Sequence, residues 1–394
     1  MNFATSTDVS RIRGDAHLRR CEFRQAVEAY TAALDADPGH TEALNNRGAA
    51  RLELGDFAGA VDDLSRAIAL HPGYAVAHFN RARARRARGE TDACLTDLDK
   101  AIRIDPRYAK AFHLRGRVRL KQGAPDVAIR DLSEAIRLRP AYAEALASRG
   151  AARAELDDLS GAISDFDAAL TLNPGLAVVY AERGGVKCGL GDRTGATADC
   201  EAALARDPSL ARAHAHLGAT LHIEKDFGTA ESAYSRAIEL DPAVCWVYVV
   251  RGNVRYHLGN RDGSWADYRK AAELNPRLAA RVMVRALAKD TALNPDGVLD
   301  SCEEHFNQHP GDALTHARRG LVLMLLSRLD DAKTDLDAVR AAKPDTRPWL
   351  DIMIDEAARW RGRRTADGLW ALERSDRPRP EPSDSEWPGV VFVG

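Results

Sequence analysis

An all-α chain built from ten copies of one two-helix unit is the fold class that the sequence predicts, on three observations. Ten prolines (Pro38, Pro72, Pro106, Pro140, Pro174, Pro208, Pro242, Pro276, Pro310 and Pro344) recur every 34 residues without a slip, a register that marks stacked structural repeats. With each proline set as position 32 of a 34-residue unit, ten units run from Thr7 to Thr346, and positions 8, 20 and 27 are small in nearly all of them. Position 24 is bulky, as in Tyr30, Leu64, Phe166 and Tyr234. Tiny residues let two helices approach closely, and the large one fills the gap beside them.

Each element of the unit has its own signal. Position 8 lies in the first helix and is Gly14, Gly48, Gly116, Gly150, Gly184, Gly218, Gly252 and Gly320, with Ala82 and Ala286 in the other two units. Glycine in a helix costs about 1 kcal/mol against alanine, so its return there requires a close contact. Gly55, Gly89, Gly123, Gly191 and Gly259 at position 15 suit a left-handed helix end. Asp56, Asp192 and Asp226 then cap the second helix. The second helix packs through alanines at positions 20 and 27 and stops before the terminal proline, which lacks an N–H and pushes its predecessor out of the α region. Tyr74, Tyr108, Tyr142 and Leu176, two places later, are expected to staple the start of the next helix.

Small residues at 8, 20 and 27 with Pro at 32 in a 34-residue unit resemble the tetratricopeptide repeat, over about 340 of the 394 residues. The resemblance implies antiparallel helix pairs stacked into a right-handed superhelical solenoid, with the first helices lining a concave groove. The family's aromatic at position 4 survives only as Phe112, Tyr180 and Tyr248, and position 11 is basic instead of Tyr.

The expected organisation is a lead-in over 1–6, ten repeats over 7–346 with 279–312 degenerate, a capping-helix region over 347–374, and a disordered tail over 375–394. Repeat nine departs from the pattern at Ala286, Val298 and His305 and carries Pro295, acceptable at a first helical position, so it is the expected place for a bend. Trp349, Met353, Ala357 and Trp360 recur at helical spacing as a cap. The tail is proline-rich and acidic but ends on apolar Val390, Val391, Phe392 and Val393, which either dock or fray.

A formal charge of −2 argues against a general nucleic-acid or membrane binder. No N-terminal stretch resembles a signal peptide, and the longest apolar run, 321–326, is too short to span a bilayer, so the chain reads as soluble and cytoplasmic. Cys21, Cys94, Cys188, Cys200, Cys245 and Cys302 show no CxxC spacing and read as structural thiols. No cofactor or metal is expected: His214 and His216 stand two apart on opposite sides of a helix, whereas ligand pairs stand four apart.

A second periodicity is cationic. Position 7 is Arg13, Arg47, Arg81, Arg115, Arg149, Arg183, Arg251, Arg285 and Arg319, broken by Leu217, and position 11 adds Arg51, Arg85, Arg119, Arg153, Lys187, Arg255 and Lys289. At about 100° per residue, positions 4, 7, 8, 11 and 15 share the packing side of the first helix, and 2, 5, 6, 9, 12 and 13 the groove side. Position 23 of the second helix is Asp63, Asp97, Asp131, Asp165, Asp199, Asp267 and Asp335. In the unit where position 7 is Leu217, position 23 is Ala233, so both charges vanish together. The sequence therefore predicts ion pairs within each repeat: Arg47–Asp63, Arg81–Asp97, Arg115–Asp131, Arg149–Asp165, Arg183–Asp199, Arg251–Asp267 and Arg319–Asp335. Arg13 with Ala29 and Arg285 with Ser301 are exceptions, and the remaining basic residues must find other partners.

Candidate peptide-binding residues are those at groove positions. Asn46, Phe79, Asn80, Arg83, Arg86, His113, Arg117 and Lys121 offer a basic face with an aromatic anchor, suited to an acidic peptide. His216, His222, Trp246, Tyr256 and His257 offer an aromatic stretch suited to an apolar one. The carboxylate clamp of heat-shock co-chaperone repeats fails at Asn45, Ala49 and Leu114 in one register and at Asp15, Val76 and Asn80 in the other. An asparagine ladder like that of sugar-transferase repeats has only Asn46 and Asn80.

No catalytic motif appears, so the expected function is a non-enzymatic protein–protein interaction scaffold holding an acidic or amphipathic segment of a partner protein. The alternatives are a single-stranded RNA-binding array, which the arginines permit but the charge balance opposes, and an enzyme with its site inside the repeats.

Overall fold

The computed structural model describes residues 6–277, 279–280, 283–284, 287, 295–308, 313–342, 347–358, 360–364 and 370–374. By internal packing the chain divides into two units, 1–152 and 153–394. The first carries α1 (Ser6–Arg19), α2 (Phe23–Ala36), α3 (Thr41–Glu53), α4 (Phe57–Leu70), α5 (Ala75–Ala87), α6 (Thr91–Ile104), α7 (Ala109–Lys121) and α8 (Pro125–Leu138), and the division falls inside α9 (Ala143–Glu155). The second carries α10 (Leu159–Leu172), α11 (Ala177–Gly189), α12 (Arg193–Arg206), α13 (Ala211–Ile223), α14 (Phe227–Leu240), α15 (Cys245–His257) and α16 (Arg261–Leu274). It continues through α17 (Pro295–Gln308), α18 (Ala313–Leu325), α19 (Leu329–Ala342) and α20 (Arg347–Ala358) to strands β1 (Trp360–Arg364) and β2 (Trp370–Arg374). The architecture is helix-turn-helix repeats in the 34-residue phase, and Pro295 opens α17 at the first helical position.

The repeat chemistry explains this regularity. A Cβ on Gly48 would lie 2.8 Å from Leu64 Cγ and 3.3 Å from the Ala60 carbonyl oxygen, and one on Gly116 would lie 2.8 Å from Leu132 Cγ. Position 8 thus meets position 24, and the helix pair closes only if position 8 is small. Every described turn between paired helices that the sequence marks with glycine has it at positive φ, from 72° to 83°. Cys21, Asp157, Lys225 and Ser327 hold the same left-handed conformation in four other repeats. Asp56, Asp192 and Asp226 accept from the backbone N–H three residues on, as do Asp158 and Asn260.

Two of the tyrosines at position 34 pack on the first helix of their own repeat. Tyr108 packs on Phe79 with ring centroids 5.0 Å apart, and Tyr142 meets His113 at 4.8 Å. Tyr74 and Tyr108 also stand at the N-cap of the helix that follows, one place later than staple geometry uses.

Position 24 tyrosines show how one missing partner matters. The Tyr30 hydroxyl donates to Asp15 at 2.7 Å and Tyr268 to Asn253 at 2.6 Å, both from position 9. In repeat seven position 9 is Ala219, and the buried Tyr234 hydroxyl has no partner among the described residues. Tyr234→Phe is therefore expected to leave stability unchanged or raise it by about 1 kcal/mol, while Tyr30→Phe loses about 1 kcal/mol. Urea unfolding of the two variants checks this; equal losses would refute it.

Leu350, Met353 and Ala357 of α20 are buried. The helix ends at Ala358, however, and Trp360 opens β1 instead of continuing the helical cap. Helical spacing would next present Arg361 and Arg364, which offer nothing to bury, and the backbone pairs antiparallel with β2 instead, Trp360 opposite Arg374 and Arg364 opposite Trp370. The tail over 375–394 and its apolar end lie outside the described residues.

Candidate functional site

The arginine ladder is built into the walls of the repeats. Arg47 donates from Nε and Nη2 to Asp63 at 2.8 and 2.7 Å, and Arg51 donates to the same carboxylate at 2.9 Å. The arrangement recurs with Arg81 and Arg85 on Asp97, Arg115 and Arg119 on Asp131, Arg183 and Lys187 on Asp199, and Arg251 and Arg255 on Asp267. Arg319 makes the two-bond pair with Asp335, and Arg153 donates to Asp165 at 2.9 Å. These aspartates are all less than 5% exposed. One carboxylate therefore serves two cations, which accounts for the excess of basic over acidic residues in the ladder. The free Nη1 of position 7 reaches back to position 25 of the preceding repeat: Arg47 to Thr31, Arg81 to Ser65, Arg115 to Asp99, Arg149 to Ser133, Arg183 to Asp167 and Arg251 to Ser235. Arg47, Arg81, Arg115, Arg183 and Arg251 each join both helices of their repeat to the repeat before it.

First helices of successive repeats touch within each unit, α1 with α3 and α3 with α5, then α11 with α13 and α13 with α15. This contact divides the candidate binding residues. Asn80 donates to Asn45 at 3.1 Å, Asn45 to Asn46 at 2.9 Å and Asn46 to Asp15 at 3.1 Å, so the asparagines form an internal chain and Asn80 is buried. His113 is buried between the Tyr142 hydroxyl (2.9 Å) and Ser148 Oγ (3.1 Å). Desolvation, with Arg117 nearby, lowers its pKa to about 4, so it is neutral at pH 7. Positions 5 and 6, which helical geometry assigns to the groove, are largely consumed by packing against the neighbouring first helix.

Exposed groove positions of repeats three and four include Val76 and Lys110 at position 2, Arg86 at position 12, and Arg117 and Lys121 at positions 9 and 13. Arg86, Arg117 and Lys121 are exposed, and none has a carboxylate within ion-pair distance among the described residues. Their neighbours are engaged: Arg83 with Glu53 at 2.8 Å and Arg88 with Glu90 at 2.9 Å. Arg117 is held below its usual pKa range by partial desolvation and by the charge of Arg86, so the two cations repel each other. Phe79, half-buried on Tyr108, forms an apolar ledge in the same repeats.

Repeats seven and eight do not assemble their aromatic candidates into one surface. Trp246, Tyr256 and His216 are buried, and His216 lies against Gly185 with neither ring nitrogen hydrogen-bonded among the described residues. Burial lowers its pKa to about 4. His222, Phe227 and the exposed His257 form a separate ring cluster, Phe227 stacked on His257 at 4.8 Å. Between α13, α14 and α15 a cavity of about 200 Å³ is lined by Ala211, Arg212, Ala215, Asp241, Val244 and Trp246. Ala215 and Val244 stand there at the positions that carry Phe79 with Tyr108 and His113 with Tyr142 elsewhere, which leaves the space unfilled.

Cys94, Cys188, Cys200, Cys245 and Cys302 are buried, Cys21 is exposed, and all six are free thiols. Burial pushes Cys94 up to about 11 and Cys200 to about 12, opposite to a reactive thiolate. Among the described residues no cluster of His, Cys, Asp and Glu has the form of a metal site, and no helix is long and apolar enough to cross a membrane.

A solved structure of MamA is 26% identical over 44% of this chain and 94% of its own, with a TM-score of 0.39. A tetratricopeptide repeat protein from Parabacteroides merdae ATCC 43184 is 17% identical over 60% of this chain and 93% of its own, with a TM-score of 0.50. The first TPR of Spaghetti (RPAP3), solved bound to the HSP90 peptide SRMEEVD, is 25% identical over 29% of this chain and 92% of its own, with a TM-score of 0.29. No curated protein matches the chain. The tetratricopeptide-repeat family model matches residues 13–75, 50–109, 113–177 and 188–244, together more than half of the sequence. With that match, the 34-residue phase and the paired helices in agreement, the chain belongs to the tetratricopeptide-repeat family.

Proposed function

We propose that the protein is a non-enzymatic interaction scaffold whose first unit holds an acidic segment of a partner protein across Arg86, Arg117 and Lys121, with Phe79 and Tyr108 as an apolar ledge. The carrying observation is the contrast in pairing. Neighbouring arginines on the same helices are committed to carboxylates, whereas these three exposed cations have none among the described residues, and Arg86 and Arg117 repel each other. An anionic ligand relieves that repulsion and gains charge-assisted hydrogen bonds in a half-desolvated setting. Six free thiols fit a reducing compartment, and the cytoplasm is the proposed one.

The test is affinity capture from host lysate with wild type and Arg86→Glu/Arg117→Glu/Lys121→Glu, with retained proteins identified by mass spectrometry. Among the described residues the three side chains make no hydrogen bond or ion pair, so the variant is expected to melt like wild type. It is expected to lose an acidic partner that wild type retains. Identical retained proteins would overturn the groove assignment, and steep salt-dependent capture of generic RNA would favour the nucleic-acid reading instead.

A further inference from the structure

We infer that the acidic segment received by this groove is the chain's own Glu381–Val393, contributed by a second copy. The inference rests on the groove reading above and names its occupant. The groove offers three uncompensated cations, Arg86 on α5 and Arg117 and Lys121 on α7, beside the Phe79–Tyr108 ledge. The C-terminal sequence offers the complement: Glu381, Asp384 and Glu386, then Trp387 and the apolar Val390, Val391, Phe392 and Val393. Three carboxylates against three cations neutralise the cluster. The tail's own arginines, Arg377 and Arg379, precede the acidic stretch.

Reach is sufficient. Packed helices lie about 8–10 Å apart, and an extended chain advances about 3.3 Å per residue. The stretch from Glu381 to Glu386 therefore spans neighbouring first helices, and the next few residues carry Trp387 or Phe392 to an aromatic ledge. Proline at 380, 382 and 388 lacks an N–H that would need a partner in a groove made of side chains. Groove and tail are different patches, so the contact is heterologous and links copies in series, head to tail, instead of closing a two-fold dimer.

Sedimentation of the full chain at low salt over a wide concentration range tests this. The wild-type mass is expected to rise with concentration. The groove variant Arg86→Glu/Arg117→Glu/Lys121→Glu and the tail variant Glu381→Lys/Asp384→Lys/Glu386→Lys are each expected to stay single-copy. Mixed in equal amounts they are expected to associate again, since the lysine tail of one meets the glutamate groove of the other. A wild type that stays single-copy throughout, or a mixture that does not associate, overturns the inference. Binding of an external Glu- and Trp-containing peptide separates the two claims. If wild type binds that peptide through the groove yet never self-associates, only the choice of occupant falls; if it binds neither, the groove assignment falls with it.

Discussion

Asp63→Ala is expected to remove about 3–5 kcal/mol of stability, because it strips the counter-charge from two cations at once. Asp63 is 2% exposed and accepts two bonds from Arg47 and one from Arg51. After the substitution Arg47 keeps only a neutral partner, Thr31, at 3.0 Å. Asp199→Ala removes the equivalent carboxylate from Arg183 and Lys187, but Arg183 retains Asp167 at 2.6 Å. The second variant should therefore lose less than the first. Urea unfolding followed by helix content reads both, and an Asp63→Ala curve lying on that of wild type would show the ladder to be solvated decoration. Because Arg47 also bonds to the repeat before it, the loss is expected to spread to the neighbouring interface, in the manner of a nearest-neighbour array.

The second large effect is steric. Gly116→Val is expected to cost more than about 3 kcal/mol and Gly116→Ala about 1–3 kcal/mol, despite alanine's better helix propensity. A Cβ at Gly116 would stand 2.8 Å from Leu132 Cγ and 3.2 Å from the Ala128 carbonyl oxygen. Leu132 is fully buried and the carbonyl is backbone, so neither yields without moving α8 away from α7. Gly228 supplies the control: it lies inside α14, and an added Cβ there meets nothing within 4 Å. Gly228→Ala is expected to raise stability by about 0.5–1 kcal/mol. Thermal melts moving the same way for both alanine variants would contradict the close-packing account.

The two effects show why so much of the fold was legible. Glycine at 8, bulk at 24 and proline at 32 are local demands of one helix pair, and each repeat states them again, so internal comparison replaces an alignment. The joint loss at Leu217 and Ala233 even indicated which aspartate each arginine should meet. What the sequence could not show depends on the next repeat. Two cations share one carboxylate, and Arg47 reaches Thr31, because stacking brings those groups together; charge counts show only an imbalance. Asn80, His113 and His216 sit on the geometric groove side yet are covered by the adjacent first helix. The pairing of position 5 with the ring at position 34 was the available signal, since Phe79 with Tyr108 and His113 with Tyr142 repeat it. The change from helix to hairpin after Ala358 had a weaker one, the arginines at 361 and 364.

The central claim is that the ladder arginines hold the fold while Arg86, Arg117 and Lys121 hold a ligand. Titrating a labelled Glu- and Trp-containing peptide into wild type and into Arg86→Glu/Arg117→Glu/Lys121→Glu, at low and high salt, tests it most directly. Binding to wild type that weakens with salt and falls about tenfold or more in the equally stable variant is the predicted result. Equal affinity for both proteins, or equal affinity of wild type for a Lys- and Trp-containing peptide of the same length, would contradict it.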